Sequence, residues 1–191
     1  MGGTDASACH NCTSGSYCPA ASITTSTLCP AGFFCASPSL SVVCPSGSYC
    51  PAGSTAPIAC SAGSFNGLPQ QSSIGVCQAC PAGSKCPTSG MSTATPCDAG
   101  YYSGASSAIT CPACLAGGFC PSGSSAAVLC SSGSFRATTG GTSQGSCTNC
   151  TGVQICPAGS TAAMANCPPG SYCTPGNPSP QQCQVCHCCP L

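Results

Sequence analysis

Charge is almost missing from this sequence. Of 191 residues only Asp5, Asp98, Lys85 and Arg136 carry full charges, with His10 and His187 near the two ends and no glutamate anywhere. A groove for nucleic acid needs clustered Lys and Arg, so that class of partner is excluded. A paired-carboxylate site is not expected either, because the only two acidic side chains, Asp5 and Asp98, lie far apart in the chain. Large apolar residues are scarce too: Leu, Ile, Val and Phe together number 22, and tryptophan is absent. That is well under the roughly 20% that an ordinary globular core requires. No apolar run approaches the roughly 18 residues of a membrane span, so no span is expected in this chain. Met1-Gly2-Gly3 lacks the charged and apolar segments of a signal peptide, and the chain reads as a mature form or a fragment.

What the chain has is cysteine, 25 residues of it. Cross-links must then do what apolar burial does elsewhere, by limiting the unfolded chain, and such bridges persist only in an oxidising compartment. An extracellular or cell-surface protein is expected. A net charge of zero also leaves no electrostatic brake on association.

The cysteines are ordered. Adding 70 to Cys44, Cys50, Cys60, Cys77, Cys80, Cys86 and Cys97 gives Cys114, Cys120, Cys130, Cys147, Cys150, Cys156 and Cys167. Seven matches in register mark a tandem duplication, and an internal repeat sets the architecture. Within it runs a shorter motif, Cys-x-x-Gly-x-aromatic, opening at Cys12, Cys29, Cys44, Cys60, Cys97, Cys114, Cys130 and Cys167. Degenerate copies open at Cys80, with Lys85 in the aromatic slot, and at Cys150, with Val153 and Ile155. Eight of the ten aromatic residues fill this slot, which marks them as anchors of the repeat. Seven motifs close at once, at Cys18, Cys35, Cys50, Cys86, Cys120, Cys156 and Cys173. Those opening at Cys60, Cys97 and Cys130 run on to Cys77, Cys111 and Cys147.

The organisation expected is a lead-in over 1–11, short cysteine-rich units over 12–43, one repeat over 44–113, a second over 114–173, and a linker with a Cys-rich tail over 174–191. Clusters such as Pro51-Ala52-Gly53-Ser54, Pro121-Ser122-Gly123-Ser124 and Pro157-Ala158-Gly159-Ser160 predict turns. No window keeps a helical period, and the long units suit short hairpins. The motif glycine is expected at positive φ, or where a disulfide approaches the backbone. The fold class predicted is small and disulfide-rich: tandem cysteine-rich repeats forming an elongated rod, with short β-hairpins and little regular secondary structure. Each unit is expected to touch only its neighbours, each aromatic covering a disulfide of its own or the next unit.

The motif and its C-x2-C joints resemble the ephrin-receptor-like repeats of the growth-factor-receptor cysteine-rich superfamily, over roughly 12–173. Long arrays of such repeats look most like extracellular surface and fibre proteins of protists. Each unit is expected to close internally. Short units would join Cys12–Cys18, Cys29–Cys35, Cys44–Cys50 and Cys167–Cys173. By analogy with receptor modules, long units would combine a hairpin bond with a small loop: Cys60–Cys77 with Cys80–Cys86, Cys97–Cys111 with Cys114–Cys120, and Cys130–Cys147 with Cys150–Cys156. An interleaved scheme, Cys60–Cys80 with Cys77–Cys86, stays open.

Chemistry other than cross-linking has little support. C-x2-C pairs occur in zinc knuckles, but here they sit inside a larger cystine pattern. The tail at Cys186, His187, Cys188 and Cys189 is the best metal candidate; a terminal disulfide knot is the plainer reading, and no metal or cofactor is expected. A Cys–His dyad at Cys9 or Cys188 needs a free thiolate in an oxidising setting, so the chain is expected not to be an enzyme. Asn11-Cys12-Thr13 and Asn149-Cys150-Thr151 fit the glycosylation sequon, and glycans would solvate a surface that charge does not. Cys9, Cys183, Cys186, Cys188 and Cys189 are left over by the pairing, an odd number that suggests an intermolecular bond. Head-to-tail self-association through 1–18 and 174–191 would follow, and a heterologous contact that does not close makes a filament. The leading reading is a self-assembling, glycosylated subunit of an extracellular fibre, hair or coat. The alternatives are a protist-type surface antigen or adhesin, and a ligand-binding, receptor-like ectodomain.

Overall fold

The computed structural model describes residues 14–18, 27–37, 40–151, 154–164, 170–172 and 181–182. The chain divides into two compact units, one of Met1–Cys80 with Cys86–Ala94, the other of Pro81–Lys85 with Thr95–Leu191. Both are built from two-stranded antiparallel hairpins. In the first unit β1 (Ser16–Tyr17) pairs with β2 (Thr27–Leu28), β3 (Phe33–Ser37) with β4 (Leu40–Val43), β5 (Ser48–Tyr49) with β6 (Ile58–Ala59), and β7 (Ser64–Phe65) with β8 (Gln78–Ala79). In the second, β9 (Ser84–Lys85) pairs with β10 (Thr95–Pro96), β11 (Gly118–Phe119) with β12 (Val128–Leu129), β13 (Ser134–Phe135) with β14 (Thr148–Asn149), and β15 (Ser171–Tyr172) with β16 (Gln181–Gln182). Two single-turn 3₁₀ helices, η1 (Ile74–Val76) and η2 (Gln144–Ser146), close the two longest loops. The 70-residue register of the cysteines is thus also a register of elements: β5 to β8 and η1 recur as β11 to β14 and η2.

The motif dictates the local geometry. In Pro45-Ser46-Gly47-Ser48 the Ser48 N–H donates to the Pro45 carbonyl at 3.3 Å, and Gly47 has φ +81°. Positive φ at the third residue is the type II condition that favours glycine. The turn reverses the chain into the first strand, and the second strand runs straight into the next opening cysteine. The C-x2-C joint is therefore a two-residue strand: Gln78–Ala79 between Cys77 and Cys80, and Thr148–Asn149 between Cys147 and Cys150. Between Cys111 and Cys114 the pairing shrinks to one bridge, Tyr101 to Ala113. Pro112 stands there and has no N–H for a ladder. The predicted Pro-Ala-Gly-Ser turns form as well. Ser54, Ser124 and Ser160 each return backbone and Oγ bonds to the proline carbonyl, the Oγ bonds at 2.6, 2.6 and 2.7 Å.

Two-residue strands are far too short to stand alone. Consecutive motifs are instead sewn together by a recurring set of backbone hydrogen bonds. Each opening cysteine from Cys29 to Cys150 donates its N–H to the carbonyl of the preceding motif glycine, at 2.8–2.9 Å. Between the Cys44 and Cys60 motifs three more bonds complete the set. Gly47 N–H donates to Asn66 O at 2.7 Å, Gln70 N–H to Cys44 O at 2.7 Å, and Cys50 N–H to Gln71 O at 2.8 Å. The same four recur seventy residues on, through Cys130, Gly117, Gly140 and Cys120.

The stack is not limited to nearest neighbours. A Cβ on Gly15 would lie 2.5 Å from Gly53 O, one on Gly32 2.6 Å from Gln70 O, and one on Gly100 2.8 Å from Gly140 O. Each partner belongs to the motif two further along. In each of these pairs the second turn folds back over its predecessor and reaches the motif before it. The close approach expected at the motif glycine is hence to a carbonyl, not to a disulfide. Gln70 and Ser107 adopt positive φ without being glycine. Gln70 stands in the second-turn slot that holds Gly53 and Gly90 in the flanking motifs, and both its carbonyl and its Cγ crowd Gly32.

The core is cystine. Every fully buried large side chain among the described residues is a cysteine, from Cys29 to Cys156, each below 2% exposed. The aromatic slot is shallower than expected: Tyr17, Phe34, Tyr49, Phe65, Tyr102, Phe119 and Phe135 are half-buried, and Tyr172 is exposed. Ile155, in a degenerate copy of that slot, is the one large aliphatic in the core among the described residues.

Candidate functional site

Eight disulfides join described residues. Four close small loops: Cys29–Cys35, Cys44–Cys50, Cys80–Cys86 and Cys114–Cys120. Cys150–Cys156 closes a fifth loop of the same length. Cys60–Cys77, Cys97–Cys111 and Cys130–Cys147 staple the long hairpins. The long units therefore carry a hairpin bond plus a small loop, not the interleaved scheme. The Cα–Cα distances of 5.6–6.5 Å lie within the range a bridge spans. Cys18 is also disulfide-bonded, and Cys12, its expected partner, lies outside the described residues. So do Cys167, Cys173, Cys9, Cys183, Cys186, Cys188, Cys189, His10, His187 and Asn11.

The two kinds of bridge differ in exposure. In the small loops opened by Cys29, Cys44, Cys80 and Cys114 both half-cystines are buried. In the hairpin staples the opening half, Cys60, Cys97 or Cys130, is buried, but Cys77, Cys111 and Cys147 are half-exposed.

Long motifs lack a cysteine at the closing position, seven residues into the motif. Alignment of the motifs places Asn66, Ser103 and Arg136 there. All three take over the job of pinning the loop. Asn66, 4% exposed, donates through Nδ2 to Ser48 O and Leu68 O, both at 2.9 Å, and accepts from Leu68 N–H at 3.0 Å. Ser103 is likewise buried and donates to Ala105 O at 3.0 Å. Arg136 donates to Ser146 O at 2.7 Å and Thr139 O at 3.0 Å, while its Nε is buried without a partner among the described residues. The signal was present in the sequence as a column of polar residues where a cysteine is due. Lys85, a departure in the aromatic slot, forms an ion pair with Asp98 at 3.1 Å on an exposed face.

Among the described residues of the first unit lies a cleft with a volume of about 340 Å³. Its walls are Tyr49, Ile58 and Ile74, and its floor is the Cys60–Cys77 bridge with Ser61 and Ser64. Ile74 is 67% exposed and Ile58 46%. Ser64 Oγ donates to Ser61 O at 2.7 Å, which leaves its lone pairs as acceptors.

Asn149, in β14, is exposed, and so is Thr151 of its sequon. Among the described residues no group of three His, Cys, Asp or Glu side chains is placed to hold a metal ion. None of the described helices is long and apolar enough to cross a membrane.

The fold and its covalent frame define a small disulfide-rich protein of repeated cystine-stapled hairpins. No protein-family model and no curated protein sequence matches the chain. Disulfides at this density place it in an oxidising, extracellular setting.

Proposed function

We propose that this protein is a structural subunit of an extracellular fibre, hair or coat: an elongated, glycosylated array that self-associates. The observation that carries the reading is the repeated rung of backbone hydrogen bonds between successive motifs. Each rung joins one motif to the next through backbone groups alone, so the same interaction can join motifs of two chains, as edge strands pair. Surface composition supports the same reading. Leu28, Leu68, Leu115, Leu129 and Met164 are all more than half exposed on a chain of zero net charge, a combination that favours association. Contacts between subunits would involve 1–18 and 174–191, with a covalent bridge through Cys9 as one form of the joint. Sugar at Asn149 would keep the lateral face solvated.

Electron microscopy of the concentrated native protein tests this. Filaments or a regular lattice support it, as does a non-reducing gel ladder that collapses on reduction. A protein that stays monomeric at high concentration and in its native tissue contradicts it. Small-angle scattering adds the shape: a compact 191-residue chain has a radius of gyration of roughly 16 Å, and the elongated array should exceed that clearly.

A further inference from the structure

The duplicated repeats differ at the cleft. Adding 70 to its residues gives Phe119 for Tyr49, Val128 for Ile58, Ser131 for Ser61, Ser134 for Ser64 and Gln144 for Ile74. In the second repeat the Gln144 side chain fills the position. Its Nε2 donates to Ser131 Oγ at 2.8 Å and to Ser134 Oγ at 3.3 Å, and its Oε1 accepts from Ser131 N–H at 3.4 Å. Ser134 Oγ donates to Ser131 O at 2.7 Å, as Ser64 Oγ does to Ser61 O. The polar floor is therefore the same in both copies. In the first, Ile74 cannot supply the amide. Ser61 N–H has no partner among the described residues, and Ser61 and Ser64 both line the cleft.

We propose that the first-repeat cleft binds the acetamido group of an N-acetylated hexosamine. The second repeat shows the chemistry its floor takes: one amide, N–H toward the serine hydroxyls and C=O toward the backbone N–H of the first serine. Where the Gln144 amide serves both hydroxyls, an acetamido group offers the same carbonyl acceptor but a single N–H, anti to it, which serves one of the two. Its methyl adds what Gln144 does not need, an apolar contact for Ile58 and Ile74. The cleft is larger than an amide alone and falls at the small end of ligand sites. The remaining wall is Tyr49, an aromatic side chain whose face suits the apolar C–H face of a pyranose ring. The absence of charge around the cleft suits a neutral sugar. This inference stands on the comparison of the two repeats, whether or not the protein assembles into fibres.

The test is titration of the intact, fully oxidised protein with N-acetylglucosamine, glucose and propionamide, followed by amide NMR shifts. N-acetylglucosamine should shift Ser61 and Ser64 saturably; glucose should not, and propionamide, which keeps the amide and an alkyl group but lacks the ring, should bind at least about tenfold more weakly. Ile74→Gln should plug the cleft and abolish the shifts while all disulfides form. Gln144→Ile should create a second set of shifts, at Ser131 and Ser134, and it carries the test should the first variant misfold. No shift with N-acetylglucosamine, equal binding of glucose, propionamide binding as tightly as the sugar, or undiminished binding to folded Ile74→Gln overturns the proposal.

Discussion

Replacing Gly47 by alanine probes the double constraint on the motif glycine. Gly47 and Gly90 lie in the same unit and have nearly the same φ, +81° and +78°. Alanine at either position therefore carries a similar left-handed penalty, about 1 kcal/mol. Beyond that they differ. A Cβ on Gly90 meets only the Ala59 Cβ at 3.7 Å, an ordinary contact. A Cβ on Gly47 overlaps the Gly90 carbonyl oxygen and lies 2.7 Å from its carbon, which is backbone and cannot swing aside. The chain must shift, straining the bonds that Gly47 makes to Asn66 O and from Cys60 N–H. Each costs roughly 0.5–1.5 kcal/mol net if lost, and more if its partner stays buried and unpaired. Gly90→Ala should thus lose about 1 kcal/mol and Gly47→Ala roughly 3–4 kcal/mol. Guanidinium denaturation with every disulfide intact, verified by intact mass, measures both. Equal losses, within about 0.5 kcal/mol, would refute the claim that successive second turns pack on the motif glycines.

Three further outcomes follow from burial and bonding. Limited reduction with a thiol-alkylating trap should label Cys77, Cys111 and Cys147 with their partners before the small loops opened by Cys29, Cys44, Cys80 and Cys114, because an attacking thiolate needs access and those four bridges are buried at both ends; early labelling of Cys44 or Cys114 by peptide mass would contradict the burial argument. Asn66→Ala should cost roughly 2 kcal/mol, since it strands the buried carbonyl of Ser48 and unpins the turn at Leu68, and a loss under about 0.5 kcal/mol in the same denaturation assay would show that the loop needs no pin. Ile155→Ala should cost about 2 kcal/mol or more, while Ile74→Ala, at an exposed site, should fall within about 0.5 kcal/mol of native; the reverse order by thermal scanning would invert the assignment of the core.

Much of the fold could be read from the spacing of Cys, Gly and Pro, because those residues act locally. Gly47 after Pro45 announces a turn, and Cys77 three residues before Cys80 leaves room only for a two-residue strand. Where motifs meet, the sequence was less informative. The reach of Gly53 O to Gly15 depends on how two turns close over each other, and no spacing records that. The polar substitutes Asn66, Ser103 and Arg136 were visible once motifs were aligned, but their side-chain bonds depend on loops of different length. The aromatic residues misled in degree. Their periodicity marks strand positions, yet the half-cystines occupy the space a deep core would give them. The cleft was hidden in the contrast of Ile74 with Gln144, a single position whose meaning emerges only when both copies are folded.

The claim at the centre of this account is that cystine replaces an apolar core. Hydrogen exchange of the rung amides Cys44, Gly47, Cys60, Cys114, Gly117 and Cys130, before and after complete reduction and alkylation, tests it most directly. In the native protein these N–H groups donate to backbone carbonyls at 2.7–2.9 Å and should be strongly protected. After reduction the chain has 22 Leu, Ile, Val and Phe residues and no cross-links, each native bridge having contributed on the order of 2–5 kcal/mol, so every rung amide should exchange at the unfolded rate. Protection that survives full reduction at these six amides would contradict the account.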